Sequence, residues 1–223
     1  MATPLRLAVL ASGRGSNLQA ILDAIGSGAL DARVVGVFSD RRSAKALDRA
    51  RDAGIPAVAI APAKFETREA FDTALFDAIA AVQPDLIVCA GYMRLLGAAQ
   101  VEAWHGRMIN IHPSLLPLHK GLRTHEQALS DGASEHGASV HFVTAELDGG
   151  PVIAQATVPV LAGDDAQSLA ARVLEREHPL LIAALRLFTA RRLRLHAASV
   201  EFDGRALQQP LRLAGTDLRE INA

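Results

Sequence analysis

Leu5-Arg6-Leu7-Ala8-Val9-Leu10-Ala11-Ser12-Gly13-Arg14-Gly15-Ser16-Asn17-Leu18 decides the fold, because three different backbone demands follow one another in it. Leu5 to Ala11 is apolar except for Arg6. It is too short for the hydrophobic region of a signal peptide, leads into a glycine turn, and reads as a buried strand. Ser12 to Ser16 carries two glycines and turns the chain. From Asn17 to Ile25 the residues Leu18, Ile21, Leu22 and Ile25 recur on one helical face, with Gly26 or Gly28 as the stop. Strand, glycine turn and helix open an α/β unit, and the turn lies where backbone N–H groups and the helix dipole can hold a phosphate. The loop is an incomplete dinucleotide fingerprint, since Leu18 stands at the third glycine position, and it lacks the Gly-Lys-Ser/Thr of a P-loop. Ser16 and Asn17 can cap the helix. A tight, well-capped turn and a site for a single phosphate are both open readings here, and they are compatible.

The same alternation continues downstream. Val34 to Phe38 reads as a second strand, Ala44 to Ala53 as a short helix closed by Gly54, and Pro56 to Ile60 as a third strand. Thr67 to Val82 is a longer helix with Phe71, Leu75, Phe76 and Ile79 as its core stripe, followed by the continuous apolar strand Leu86 to Ala90. Strands without polar alternation, separated by helices, indicate a parallel sheet covered on both faces. The expectation is a doubly wound, Rossmann-like α/β unit through about residue 112. Beyond it, Ser139–Val143 and Val152–Val160 read as a strand pair around the turn Asp148-Gly149-Gly150-Pro151. Ser168 to Thr189 is a long helix that Pro179 kinks or divides. Arg192–Leu195 and Ser199–Phe202 read as a hairpin, and residues 204–223 as a loose, polar tail. One domain over 1–223 is expected, with a mononucleotide-binding half at 1–112 and a second half at 113–203.

Half of the 223 residues are hydrophobic, enough for a substantial core, and the net charge is -1. Bulk charge therefore offers no nucleic-acid surface. The single cysteine, Cys89, cannot form an intrachain disulfide, which points to the cytoplasm. No run approaches the ~20 apolar residues needed to cross a bilayer.

Chemistry concentrates in Met108-Ile109-Asn110-Ile111-His112-Pro113-Ser114-Leu115-Leu116-Pro117. Asn110 and His112 are two apart on a strand, so they face the same way, and Pro113 ends the pairing. An amide and an imidazole at the carboxyl end of a strand are placed where open α/β sheets bind ligands, and could stabilise the oxyanion of an attacked carbonyl. The strongest proton-handling partner is Asp148 in Glu146-Leu147-Asp148-Gly149-Gly150-Pro151, presented in a tight loop by two glycines. A structural histidine and an ordinary turn aspartate are the alternatives. His112, His119, His125, His136 and His141 form no compact metal-ligand pattern and no HExxH, so no metal is expected. Ser114 lies too near His112 to be its nucleophile, and no Gly-x-Ser-x-Gly elbow occurs.

Four motifs occur in order: Ser12-Gly13-Arg14-Gly15-Ser16-Asn17-Leu18, Asn110 to Pro117, His136-Gly137-Ala138-Ser139-Val140-His141 and Glu146 to Pro151. Together they resemble the phosphoribosylglycinamide formyltransferase family, over residues 5 to 203. The second motif alone marks the wider folate-dependent formyltransferase superfamily, and the first points to the glycinamide ribonucleotide enzymes. The resemblance implies transfer of a formyl group from 10-formyltetrahydrofolate, as co-substrate, to the amine of 5-phosphoribosylglycinamide in purine biosynthesis. It implies that Asn110 and a protonated His112 stabilise the tetrahedral oxyanion, while Asp148 sets the histidine's charge and helps a water carry the proton. It further implies that Gly15, Ser16 and Asn17 hold the phosphate and that Glu177 contacts glycinamide or ribose. The folate would lie against Met93, Arg94, Leu95 and Leu96, and against Asn110. Thr144, Ala145, Glu146, Leu147 and Asp148 would surround its pterin, with Arg68 near its tail.

This chain departs from the family pattern at His119-Lys120, where an aromatic and a proline are frequent, at Arg123, where histidine is common, and at Ala145, which is often acidic. A formyltetrahydrofolate hydrolase would use the same three central residues with water as acceptor. Such enzymes usually carry an N-terminal regulatory domain, whereas Leu5 already begins the first strand here. Formyltransferases acting on methionyl-tRNA would need an RNA-binding domain and more positive charge. A non-catalytic mononucleotide-binding module would leave Asn110, His112 and Asp148 without a reason. The expected partners are small molecules, with monomer and homodimer both open.

Overall fold

The computed structural model describes residues 3–220. The chain forms two compact units, Met1–Asn110 and Ile111–Ala223.

In the first unit the elements alternate. They are β1 (Leu5–Leu10), α1 (Ser16–Gly26), β2 (Ala32–Ser39), α2 (Lys45–Asp52), β3 (Ala57–Ala59), α3 (Arg68–Ala81), β4 (Leu86–Cys89), α4 (Ala98–Ala103) and β5 (Met108–His112). A single 3-10 turn, Pro62–Lys64, leads into α3, whose N-cap Thr67 accepts the Ala70 N–H. All the strand pairings are parallel, in the order β5-β4-β1-β2-β3. Leu7 to Leu10 and Ile87 and Val88 have no accessible surface, as unbroken apolar strands covered on both faces must. The chain starts in the middle at β1, winds outward to β3, then returns to β4 on the other side. Because β-α-β crossovers are right-handed, that reversal sends the helices to opposite faces of the sheet. It also leaves a switch point between the carboxyl ends of β1 and β4, the place where such sheets take ligands.

β5 runs across the division, with Asn110 the last residue of the first unit and His112 in the second. The second unit contains α5 (Thr124–Ser130), β6 (Glu135–Phe142), β7 (Val152–Pro159), α6 (Ala166–Thr189), β8 (Leu193–His196), β9 (Ser199–Phe202), β10 (Arg205–Ala206), β11 (Leu211–Ala214) and β12 (Asp217–Arg219). β6 and β7 pair antiparallel, β11 joins β7 in parallel, and β12 folds back antiparallel on β11. β8, β9 and β10 make a separate three-stranded antiparallel sheet.

Two expectations are corrected here, and two short helices are added to them. Pro179 does not divide the long helix: α6 is one element of 24 residues with the proline inside it. Losing one backbone bond costs about 3 kcal/mol. Leu169, Val173, Leu180, Leu181, Ala184 and Leu185 are all fully buried along α6, and that burial holds the helix together through the defect. Residues 204–223 are not a loose tail. Leu211 is fully buried on β11, and Gly215, at φ 63°, is the first residue of a two-residue turn joining Ala214 to Asp217. The last three residues of that stretch, 221–223, lie outside the described residues. Finally, α4 and α5 have only 6 and 7 residues, too few turns for apolar periodicity to reveal them.

Candidate active site

The glycine loop follows β1 at the switch point. Gly15 is the N-cap of α1, in the left-handed region at φ 73°. A Cβ there would come within 2.8 Å of Ala46, whose N–H donates to the Gly13 carbonyl. Glycine at 15 is thus required twice, by dihedral and by space, whereas Gly13 has open space around its Cα. The expected capping by Ser16 and Asn17 is not found. Ser16 already begins the helix, and no side chain caps it because the αL glycine makes the turn alone. The first turn of α1 also contains no acidic residue. Its N–H groups, at Ser16 and Asn17, and its positive dipole end are suited to an anion.

Across the switch point, the chain leaving β4 is tied to this loop. Ser12 N–H donates to the Gly91 carbonyl at 3.0 Å, and Met93 N–H donates to Ser12 Oγ at 2.9 Å. Met93 and Leu95 are well exposed, an apolar surface held open. Arg68, at the start of α3, does not hang free beside it. Its guanidinium donates to the Leu95 carbonyl at 3.0 Å and lies 3.4 Å from the buried carboxylate of Asp72. Burial pushes the Asp72 carboxyl up, and Arg68 opposes that. Arg94 stacks over the Phe71 ring, 5.4 Å from its centroid. Arg68 therefore braces the segment 93–96 from below.

In the second unit His112 and Asp148 meet. Asp148 Oδ2 is 3.5 Å from His112 Nδ1 and accepts the Gly121 N–H at 2.9 Å. His112 Nε2 lies 3.1 Å from the His119 carbonyl. A carbonyl only accepts, so Nε2 carries a hydrogen, and Nδ1 is the atom that faces the carboxylate. His141 is the other neighbour. Its Nδ1 donates to the Phe142 carbonyl at 2.9 Å, and its Nε2 stands 3.7 Å from Asp148 Oδ1. Burial drives the His141 pKa down. Asn110, half-buried, shares β5 with His112 two residues away.

The Asp148 loop owes its shape to sterics rather than to unusual glycine dihedrals. Asp148 itself has the positive φ, 45°, and neither Gly149 nor Gly150 does. A Cβ on Gly150 would stand 1.9 Å from the Phe142 carbonyl oxygen, and one on Gly149 would meet the Glu146 side chain. Glu146 in turn pairs with Lys120 at 2.7 Å, and Leu147 lies over Gly121. Thr144 is half-buried and Ala145 exposed in the same loop, and Glu177 is half-buried on α6. Three further histidines pack on one another: His136 Nε2 is 3.1 Å from His125 Nδ1, and its ring meets that of His119 edge-on. Burial pushes His136 down to about 4.

Of the residues singled out from sequence, Gly15, Ser16 and Asn17 flank one side of the switch point in the first unit, and Met93 to Leu96 with Arg68 the other. His112 and the 144–148 loop come together in the second unit, which also holds Glu177. The His119 carbonyl, the Gly121 N–H and His141 were not foreseen. Backbone groups are identical at every residue and leave no sequence signal. His141 did have one, since it lies on β6 in the His136–His141 motif.

A formyl transferase family model matches residues 5–185. The phosphoribosylglycinamide formyltransferase of Escherichia coli (strain K12) is 48% identical over 203 residues, covering 91% of this chain and 96% of that protein. Among solved structures, the phosphoribosylglycinamide formyltransferase of Coxiella burnetii superposes with a TM-score of 0.88 at 46% identity, over 92% of this chain and 96% of the other. A glycinamide ribonucleotide transformylase from Symbiobacterium toebii gives 0.87, also at 46% identity, over 91% and 95%. With the doubly wound sheet, the phosphate-type loop and the paired His112 and Asp148 already in place, this chain belongs to the phosphoribosylglycinamide formyltransferase family.

Proposed function

We propose that the chain transfers the formyl group of 10-formyltetrahydrofolate to the amine of 5-phosphoribosylglycinamide, giving the N-formyl nucleotide and tetrahydrofolate in purine biosynthesis. The observation that carries the catalytic reading is the His112 ring, set between a carbonyl that fixes its Nε2 hydrogen and a carboxylate facing Nδ1.

The substrate amine attacks the formyl carbon, the new C–N bond forms, and negative charge develops on the formyl oxygen. Asn110 donates to that oxygen, and the positive charge of the His112 imidazolium stabilises it, where oriented donors and charge count most. Asp148 sets the charge of the ring and helps a water carry away the proton that the amine must lose. The folate nitrogen takes up that proton as its bond to the formyl carbon breaks. Gly15, Ser16 and Asn17 hold the phosphate, and Glu177 contacts glycinamide or ribose. Met93, Arg94, Leu95 and Leu96 line the folate, with Asn110 beside it, and Thr144, Ala145, Glu146, Leu147 and Asp148 surround the pterin. Arg68, which also holds the Leu95 carbonyl, lies near the folate tail. The other partners are small molecules, and the protein works in the cytoplasm as a monomer or homodimer. Among the described residues no helix is long and apolar enough to cross a membrane.

The test is turnover of 10-formyltetrahydrofolate, followed by folate absorbance, with and without 5-phosphoribosylglycinamide. Acceptor-dependent turnover is expected. Equal turnover without the acceptor would make the protein a hydrolase and overturn the proposal.

A further inference from the structure

Asp40 is a buried carboxylate that the reaction does not use. It ends the chain leaving β2, is 7% exposed, and accepts a 2.6 Å hydrogen bond from Ser12 Oγ. The Arg41 guanidinium lies 3.8 Å from it. Ser12 is still more buried, at 3%. A serine hydroxyl has one hydrogen, and here it goes to Asp40, so a lone pair faces the Met93 N–H that donates back to it. The carboxylate therefore sets the rotor, and the rotor sets the Met93 peptide. Ser12 is next to Gly13 in the loop assigned to the phosphate, while Met93 begins the segment assigned to the folate. The Ser12 backbone N–H also donates to the Gly91 carbonyl, so three hydrogen bonds converge on Ser12 at the switch point.

The geometry points to Ser12, oriented by Asp40, as the positioning residue that couples the two substrates. Seating a phosphate on 15–17 fixes the loop from Gly13 onward, and through Ser12 it fixes Met93 before the folate arrives. The second ligand then finds its segment ordered and binds more tightly. Linkage demands that the reverse effect be of equal size. This inference rests on the phosphate and folate assignments of the proposed function and adds an energetic connection between them.

The experiment is calorimetric titration with 5-phosphoribosylglycinamide and with a folate analogue whose position-10 nitrogen is replaced by carbon, each alone and against saturating amounts of the other. For the wild-type protein each ligand is expected to tighten the other by the same factor, roughly 5- to 20-fold, within the range of ordinary couplings. In Ser12→Ala and Asp40→Ala the factor falls towards one, while each ligand still binds alone. Asp40→Asn keeps an acceptor oxygen for the hydroxyl and retains the coupling, a rescue that a merely structural role would not require. Should Ser12→Ala fail to fold, the two Asp40 variants carry the comparison. A wild-type factor near one, or an unchanged factor in Asp40→Ala, overturns the coupling while leaving the proposed function standing. Failure of the wild-type protein to bind either ligand overturns both.

Discussion

Asp148 holds its carboxylate on a left-handed backbone, one oxygen on the Gly121 N–H and facing His112, the other facing His141. Non-glycine residues take that conformation at a cost of about 1–3 kcal/mol, and here the surrounding contacts enforce it. Asparagine tolerates the same dihedral, so Asp148→Asn keeps the loop and removes the charge. Its kcat is expected to fall on the order of 10²- to 10⁴-fold, while the folate analogue still binds in calorimetry. Turnover near the wild-type rate would remove Asp148 from the proton path. Asn110, His112 and Asp148 stood out in the sequence as candidates because an amide, an imidazole and a carboxylate are chemically distinctive side chains. What orients them did not. The His119 carbonyl acts through a peptide group that any residue would supply, and the two glycines after Asp148 serve to make room for Phe142 and Glu146.

At the scale of elements, the glycine loop and the long helix lend themselves to opposite experiments. Gly15→Ala places a Cβ against Ala46 and a non-glycine residue at φ 73°, a strain of about 1–2 kcal/mol before any clash. KM for the nucleotide is expected to rise about tenfold or more by the same arithmetic, with KM for the folate less affected, in steady-state kinetics. An unchanged nucleotide KM would remove the phosphate from this loop. On α6, Asp165 accepts the Ser168 N–H while Ser168 Oγ accepts the Asp165 N–H. Asp165→Ala should lower the unfolding free energy by about 1 kcal/mol in urea titration, without changing turnover. Elements of 8 to 14 residues with a clean apolar stripe, such as α1 and α3, were readable in advance. α4 and α5 were hidden by their length. β11 and β12 were present in the alternation of Leu211, Leu213 and Leu218 with arginine and polar residues, and in the Gly215 turn, but two short strands among polar residues resemble a frayed end.

For the whole molecule, the buried histidines dictate how it meets acid. Burial lowers the pKa of His125, His136, His141 and His178, with His136 down to about 4. In the unfolded chain these rings titrate near 6.5. Below that value the unfolded state binds protons that the folded state refuses, so stability is complete above about pH 6.5 and declines as the pH falls towards 4. The Tm measured by calorimetry should drop through that window, and His136→Phe should flatten the drop. An unaltered slope in that variant would show that His136 does not contribute to it. None of this was visible from the spacing of the histidines, because burial is a property of the finished packing.

The parallel pairing of β11 with β7 has a consequence during synthesis. β7 meets β6 along one edge as soon as both have been made, but its other edge waits for Leu211 to reach Ala154. At ribosomal speeds of about 5–20 residues per second, the intervening chain takes roughly 3–11 s to appear. For that interval the nascent protein displays an open row of peptide groups beside the buried face of β7, the kind of template on which strands from other chains nucleate. A chaperone that shields this edge co-translationally would therefore change the yield of the protein without touching the stability of the finished fold.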